Sequence, residues 1–213
     1  MIILQVSEKP AIDVLSLIVK GGWVMIPLGI LLVYTIYLLI ERFLYFNQQN
    51  IAPAEKSRKH IELLRTGENH GASQLCTTVK GSWGRIFIHA GSSQSIEEVD
   101  QLLSDATNIE IAHYEKGLSS LSLIAGIAPL LGFIGTIIGV ITIFFDISVS
   151  QDISIAVISE GLYQKMVSSA GGLVVGIIAF SAYHIFQQKI DKFTRGIQEH
   201  ALLVKLAQKE SQL

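Results

Sequence analysis

Three stretches of this chain stay apolar for longer than a soluble helix needs. Residues 23–46 are almost unbroken apolar sequence, about the length a bilayer requires. Trp23 at one end and Phe43, Tyr45 and Phe46 at the other suit interfacial anchors, and Glu41-Arg42 can pair locally or reach the headgroups. A second apolar stretch covers residues 120–146, and a third, ISEGLYQKMVSSAGGLVVGIIAFSAYHIF, covers residues 158–186. The pattern predicts an all-α integral membrane protein with three transmembrane helices, two of them extended into long cytoplasmic helices.

The rest is polar with helical periodicity. Residues 1–22 carry a short amphipathic helix from Pro10 to Lys20, suited to lie in the interface and ended by Gly21-Gly22; its apolar run is too short for a cleaved signal peptide. Residues 47–119 form a helical domain. Pro53 to Arg65 suits a helix, and Gly and Ser break residues 66–95 around an apolar cluster of Trp83, Ile86, Phe87 and Ile88. Ser95-Ile-Glu-Glu98 is a capping box, and Val99, Leu102, Leu103, Ala106 and Ile109 continue a helical stripe after it. With no strong stop before the membrane, one helix is expected from Ser95 to about Asp146, roughly 75 Å long against a hydrocarbon core of about 30 Å. Residues 147–157 form a short loop. Residues 187–213 continue the third span as a helical tail with an apolar edge at Ile190, Phe193, Ile197 and Leu202.

Charge sets the orientation. The segment after the first span carries Lys56, Arg58, Lys59, Arg65, Lys80 and Arg85; the tail carries Lys189, Lys192, Arg195, Lys205 and Lys209; the 147–157 loop has no basic residue. By the positive-inside rule, the 47–119 domain and the C-terminus are cytoplasmic, and the N-terminus and short loop face the periplasm. Half of the residues are hydrophobic and the net charge is −2, which gives no pull toward nucleic acid. Cys76 is the only cysteine and the six histidines are scattered. No disulfide framework, catalytic set, metal site or cofactor is indicated, and no GxxxxGK[ST] loop accompanies Gly132-x-x-Gly135.

The candidate chemistry lies in Gly126–Thr142, GIAPLLGFIGTIIGVIT, which holds no charged residue. Gly132, Gly135 and Gly139 share one helical stripe, Thr136 lies beside it, and Ser169, Gly172 and Gly176 form a second small-residue stripe on the third span. Such stripes let backbones approach closely, which is how membrane helices pack. An incidental threonine on a packing helix is the plain alternative.

Together these features resemble the MotA/TolQ/ExbB family of ion-channel stator subunits, most closely the TolQ/ExbB branch. The likeness rests on the three-span layout, on Pro129-Leu-Leu-Gly-Phe-Ile-Gly-Thr136-Ile-Ile-Gly139, and on Ser168-Ser169-Ala-Gly-Gly172-Leu173. It implies a homopentamer in the bacterial inner membrane around two copies of an ExbD/TolR-like single-span partner, whose membrane Asp takes up and releases the ion. It also implies an ion pathway at Thr136 and Ser169, with Ser168 adjacent. Ser169 stands where the family usually has Thr. The family's outer-mouth Glu aligns with Gln164, beside Lys165; Glu160, one turn earlier, either substitutes for it or only favours the helix N-terminus.

The spans hold no mid-depth carboxylate, which agrees with one supplied by a partner. An ionised group at the bilayer centre costs roughly 2.5–3.5 kcal/mol, and a hydrogen bond to it returns about 1.5–3 kcal/mol. Hydroxyls at Thr136 and Ser169 therefore suit a site with balanced protonation states. The function this supports is a subunit of an ion-driven, non-enzymatic motor that couples an ion-motive force, of protons or sodium, to outer-membrane transport or envelope maintenance. A passive membrane scaffold for a single-span partner is the alternative. A solute transporter fits less well, since no inverted repeat is present.

Overall fold

The computed structural model describes residues 21–48, 54–90, 96–150 and 155–211. The amphipathic segment expected at Pro10–Lys20 and the Ser95 cap lie outside them, as do the side chains of Glu160 and Gln164. Seven helices are described: α1 (Met25–Gln48), α2 (Ala54–Arg65), α3 (Asn69–Thr77), α4 (Ser82–Phe87), α5 (Ile96–Glu115), α6 (Leu118–Ser150) and α7 (Ile155–Ser211). The described residues contain no strand. Three helical stretches are long and apolar enough to cross a membrane: Met25–Asn47, Glu97–Val149 and Gly161–Ser211.

The single helix expected from Ser95 to Asp146 is instead two, α5 and α6, separated by a turn at Lys116-Gly117. Gly117 has φ 79, the left-handed conformation that ends helices and that side-chain-bearing residues avoid. The turn leaves the last carbonyls of α5 without helical donors. Arg42 of α1 supplies one: its Nη1 donates to the His113 carbonyl at 3.1 Å. Arg42 also donates through Nη2 to Glu41 at 2.6 Å and stacks 5.1 Å from the Tyr45 ring centroid. It is only 3% exposed, so of its two expected uses, local pairing or headgroup contact, the structure realises the first.

The chain divides into two units, each drawing on α1, α6 and α7. The apolar unit comprises Leu121–Ser181 and the described part of Met1–Ile36. Its core joins Val24 and Leu28 of the first span's start, Ile124 and Ala128 of α6, and Val175 and Ala179 of α7. Large side chains such as Ile30, Phe133, Ile141, Phe144, Val174, Ile177 and Phe180 point outward. Such a surface would aggregate in water and is suited to lipid or to neighbouring membrane helices.

The polar unit comprises Tyr37–Ser120 and Ala182–Leu213. Its short helices fold onto the α7 tail through Trp83, Ile86, Phe87, Ile190, Ile197 and Val204, all buried. Arg85 forks onto Glu110, Nε to Oε1 at 2.5 Å and Nη2 to Oε2 at 2.8 Å, and this hydrogen bonding holds the Glu110 carboxyl below its usual range. At the centre, His60 Nδ1 and His200 Nε2 meet at 3.1 Å, stacked among Trp83 and Phe87. Burial pushes His60 down to about 4, and burial together with the neighbouring His60 pushes His200 down to about 3. Cys76 is 1% exposed, and burial raises its thiol to about 12. It is therefore an inert core thiol and not an accessible label site.

The histidine pair predicts a pH dependence with a definite sign. The unfolded chain takes up protons from about pH 6.5 downward, whereas the folded pair stays neutral until about 4 and 3. Stability of the polar unit should therefore be full above pH 6.5 and fall steadily as pH drops toward 4. Hydrogen exchange of α4 amides should quicken across that window, and His200→Phe should flatten the dependence. Exchange independent of pH, after correction for the intrinsic rate, would contradict the buried neutral pair.

Candidate ion-pathway site

The two small-residue stripes face each other inside one chain. A Cβ placed on Gly172 would stand 2.5 Å from the Ala128 carbonyl oxygen and 3.0 Å from the Gly132 Cα. One on Gly132 would stand 2.9 Å from the Ser168 carbonyl oxygen and 3.0 Å from the Ser169 Cα. Gly176 receives the Pro129 ring in the same manner, at 2.6 Å from Cγ. The obstacles at Gly172 and Gly132 are backbone, which cannot rotate away. Backbone-to-backbone contact between α6 and α7 thus requires glycine at these positions, and the stripes are used up by intramolecular packing.

That approach brings hydroxyls and a carbonyl together. Thr136 Oγ1 donates to the Lys165 carbonyl at 3.2 Å and, in a shared bond, to the Gly132 carbonyl at 3.3 Å. Ser168 Oγ donates to the same Lys165 carbonyl at 2.8 Å. Gly135 leaves room for the serine: a Cβ there would stand 2.9 Å from Ser168 Oγ. Ser168 is fully buried and Thr136 half-buried. Of the expected pathway residues, Thr136 and Ser168 converge on one acceptor. Ser169 is half-buried, with its backbone against Gly132. Thr142 is exposed and bonds back to the Ile138 carbonyl within its own helix, at 2.9 Å.

The geometry dictates what the hydroxyls offer. Each has one proton and two lone pairs. With both protons directed at the Lys165 carbonyl, the lone pairs are what remains for another group. The two bonds differ in strength: the Thr136 contacts are long and divided, whereas the Ser168 bond is near the optimum for O–H···O. Thr136 can give up its bond to the carbonyl while Ser168 keeps that oxygen satisfied.

Lys165 is the residue that sequence reasoning passed over. Its stem lies against Gly139, where any Cβ would collide with Lys165 Cγ, Cδ and Cε. Its Nζ reaches within 3.8 Å of the Cβ position of Gly22, just before the first span. Among the described residues it has no ion-pair partner within 4.0 Å. A long stem along apolar surface with the ammonium directed to a span end is snorkelling. The cue was present in the sequence: a lone cation inside an apolar stretch. Glu160 and Gln164 stand on the same helix, but their side chains lie outside the described ones.

Residues 79–199 match the model of the MotA/TolQ/ExbB proton channel family. A putative biopolymer transport protein ExbB homolog from Methanothermobacter thermautotrophicus is 33% identical over 94 residues, 44% of this chain and 33% of that protein. The biopolymer transport protein ExbB of Salmonella typhimurium is 31% identical over 93 residues, 44% of this chain and 38% of that protein. A putative biopolymer transport protein ExbB-like 3 from Synechocystis is 24% identical over 192 residues, covering 87% of this chain and 90% of that protein. The matched stretch thus spans 33% and 38% of the first two relatives and 90% of the third.

The packing makes a stability prediction. Gly172→Leu should unfold or loosen the α6–α7 pair, costing about 1–3 kcal/mol or more because the obstacle is backbone. Gly126→Ala, at a site with nothing within 4 Å of the new Cβ, should be tolerated. Thermal denaturation in detergent checks both. Equal midpoints for the two variants would contradict the close approach.

Proposed function

Since the chain belongs to the MotA/TolQ/ExbB proton channel family, we propose that it is the channel subunit of an ion-driven inner-membrane motor in which Thr136 tunes the carboxyl of a single-span partner. The observation that carries this reading is the meeting of the Thr136 and Ser168 hydroxyls on the Lys165 carbonyl, in spans with no mid-depth carboxylate of their own. When the partner's carboxyl is protonated it donates to the free lone pair of Thr136, and the threonine proton stays on the Lys165 carbonyl. When the carboxyl ionises it needs a donor. Thr136 then rotates and transfers its weak bond from the backbone to the carboxylate, while Ser168 holds the backbone oxygen. The exchange trades a bond worth about 0.5–1.5 kcal/mol for one worth about 1.5–3 kcal/mol. Ionisation at this depth is thereby made less costly without being made irreversible. Ser169, on the same turn, extends the polar edge. Lys165 keeps its ammonium at the span end.

The relatives named for biopolymer transport support work on the cell envelope as the output. The wider assembly rests on the family resemblance: a homopentamer and two copies of an ExbD/TolR-like partner with a membrane Asp; the periplasmic N-terminus and cytoplasmic C-terminus rest on the distribution of basic residues. Outward apolar side chains on all three spans are consistent with neighbouring subunits and lipid. Native mass spectrometry in mild detergent should give pentamers; a monomer as the sole species would contradict the assembly.

Two measurements test the mechanism and the orientation. Thr136→Val keeps the shape and removes the hydroxyl, so gradient-dependent work in cells should be lost while the oligomer forms in normal yield. Thr136→Ser should retain most of it. A fully active Thr136→Val would leave the passive scaffold as the better reading. For orientation, His70→Cys places a thiol at an exposed position, with the buried Cys76 silent beside it. An impermeant maleimide should modify it in inverted vesicles and not in spheroplasts; the reverse would overturn the topology.

A further inference from the structure

Within the polar unit a cavity of about 250 Å³ opens between the end of α1 and the part of α7 beyond the third span. Phe43, Phe46 and Asn47 line it from α1, and Lys189, Lys192 and Phe193 from α7. Tyr114 closes the back; its hydroxyl is engaged with Ser82 Oγ at 3.1 Å, so it presents its ring as a wall.

We propose that this cavity binds the headgroup phosphate of an anionic phospholipid. The charge is unopposed: among the described residues neither Lys189 nor Lys192 has a carboxylate within 4.0 Å. Asp191, the nearest acid in sequence, takes its hydrogen bond from Gln187 at 3.2 Å. Lys189 is held in place by aromatic faces, its Nζ 5.7 Å from the Phe43 and Phe46 centroids and 6.0 Å from Phe186. Aromatic faces attract the ammonium without neutralising it, which leaves its donors for an anion. Lys192 follows three residues later, on the same helical face, and the Asn47 amide adds a neutral donor.

The surroundings specify a lipid over a soluble phosphate. Ile40, Phe43, Leu44 and Ile185, each more than half exposed, continue the apolar surface of α1 and α7 from the cavity toward the spans. An acyl chain fits along that strip while its phosphate meets the lysines. Position along the chain agrees: Asn47 directly follows the aromatic end of the first span, and Lys189 lies three residues past Phe186. Basic pockets between membrane helices at the headgroup level are a recurring anionic-lipid site. A zwitterionic lipid carries its own cation, which two lysines repel. The proposal rests on the chain being a membrane protein and is independent of the ion-coupling mechanism.

The test uses the full-length protein, reconstituted with equal amounts of dioleoyl-phosphatidylglycerol and dioleoyl-phosphatidylcholine, then extracted in mild detergent. Lipid retained per subunit is read by native mass spectrometry. Phosphatidylglycerol should be retained preferentially, and K189Q/K192Q should lower its affinity roughly thirty-fold. K189R/K192R should restore it, and the charge-matched control K80Q/K209Q should leave it unchanged. If the double glutamine variant does not fold, as judged by circular dichroism and elution volume, K189Q and K192Q are read singly, each expected to lose roughly five-fold. Equal retention in wild type and these variants overturns the proposal, as does equal retention of the two lipids. Glycerol 3-phosphate that displaces phosphatidylglycerol at equal concentration would identify a soluble phosphate site and also overturn it.

Discussion

The backbone contact between α6 and α7 is the constraint on which the membrane chemistry depends. Gly172 against the Ala128 carbonyl and Gly132 against the Ser168 carbonyl leave no room for a single methyl group. In lipid there is little hydrophobic drive to hold two helices together, so close packing and interhelical hydrogen bonds must do so. Here the two act jointly. Close approach puts the Thr136 hydroxyl of one helix within reach of the Lys165 carbonyl of the other, and that carbonyl already has its α-helical geometry and Ser168 beside it. A larger residue in either stripe would separate the helices and remove the hydroxyl from its acceptor. Packing and candidate function therefore share the same residues, and the glycines are as much a part of the proposed ion site as the threonine is.

The polar unit is built on other principles. Its helices are short, and their ends are satisfied by side chains from distant parts of the sequence. Arg42 serves the carbonyl of His113 across 71 residues, and Gln208 serves the carbonyl of Ala90 across 118. Polar groups also pair inside it, as the neutral His60–His200 couple and the Arg85–Glu110 fork illustrate. Such a unit derives its order from aromatic packing and directed bonds, with Trp83 and Phe87 at the centre. Lys189 uses the same aromatic chemistry beside a cavity.

Legibility in the sequence follows the range of the interaction. The three spans, the helical nature of residues 54–65 and the Trp83–Phe87 cluster are local patterns, and hydropathy and periodicity reveal them. The α5–α6 turn was legible in principle, since Gly117 follows a basic residue at a helix end, but an apolar stripe running on both sides concealed it. The Arg42–Glu41 pair is a local pattern, but the Arg42 bond to the His113 carbonyl has no local cue, because that acceptor lies on another helix. The choice between Ser168 and Ser169 depends on helix rotation by one residue, about 100°, which no periodicity argument resolves in a stretch that is small or apolar on every side. His60 and His200 carry no local cue at all, being 140 residues apart.

The central claim is that Thr136 redirects its hydroxyl hydrogen bond between the Lys165 carbonyl and a partner carboxylate. Infrared titration of the partner's carboxyl band in the reconstituted complex tests it most directly, because it reads the ionisation equilibrium and not the work that depends on it. Losing the exchangeable donor removes support from the ionised form alone. The account predicts a midpoint about one pH unit higher in Thr136→Val than in wild type, with Thr136→Ser close to wild type. Identical midpoints in wild type and Thr136→Val would contradict it.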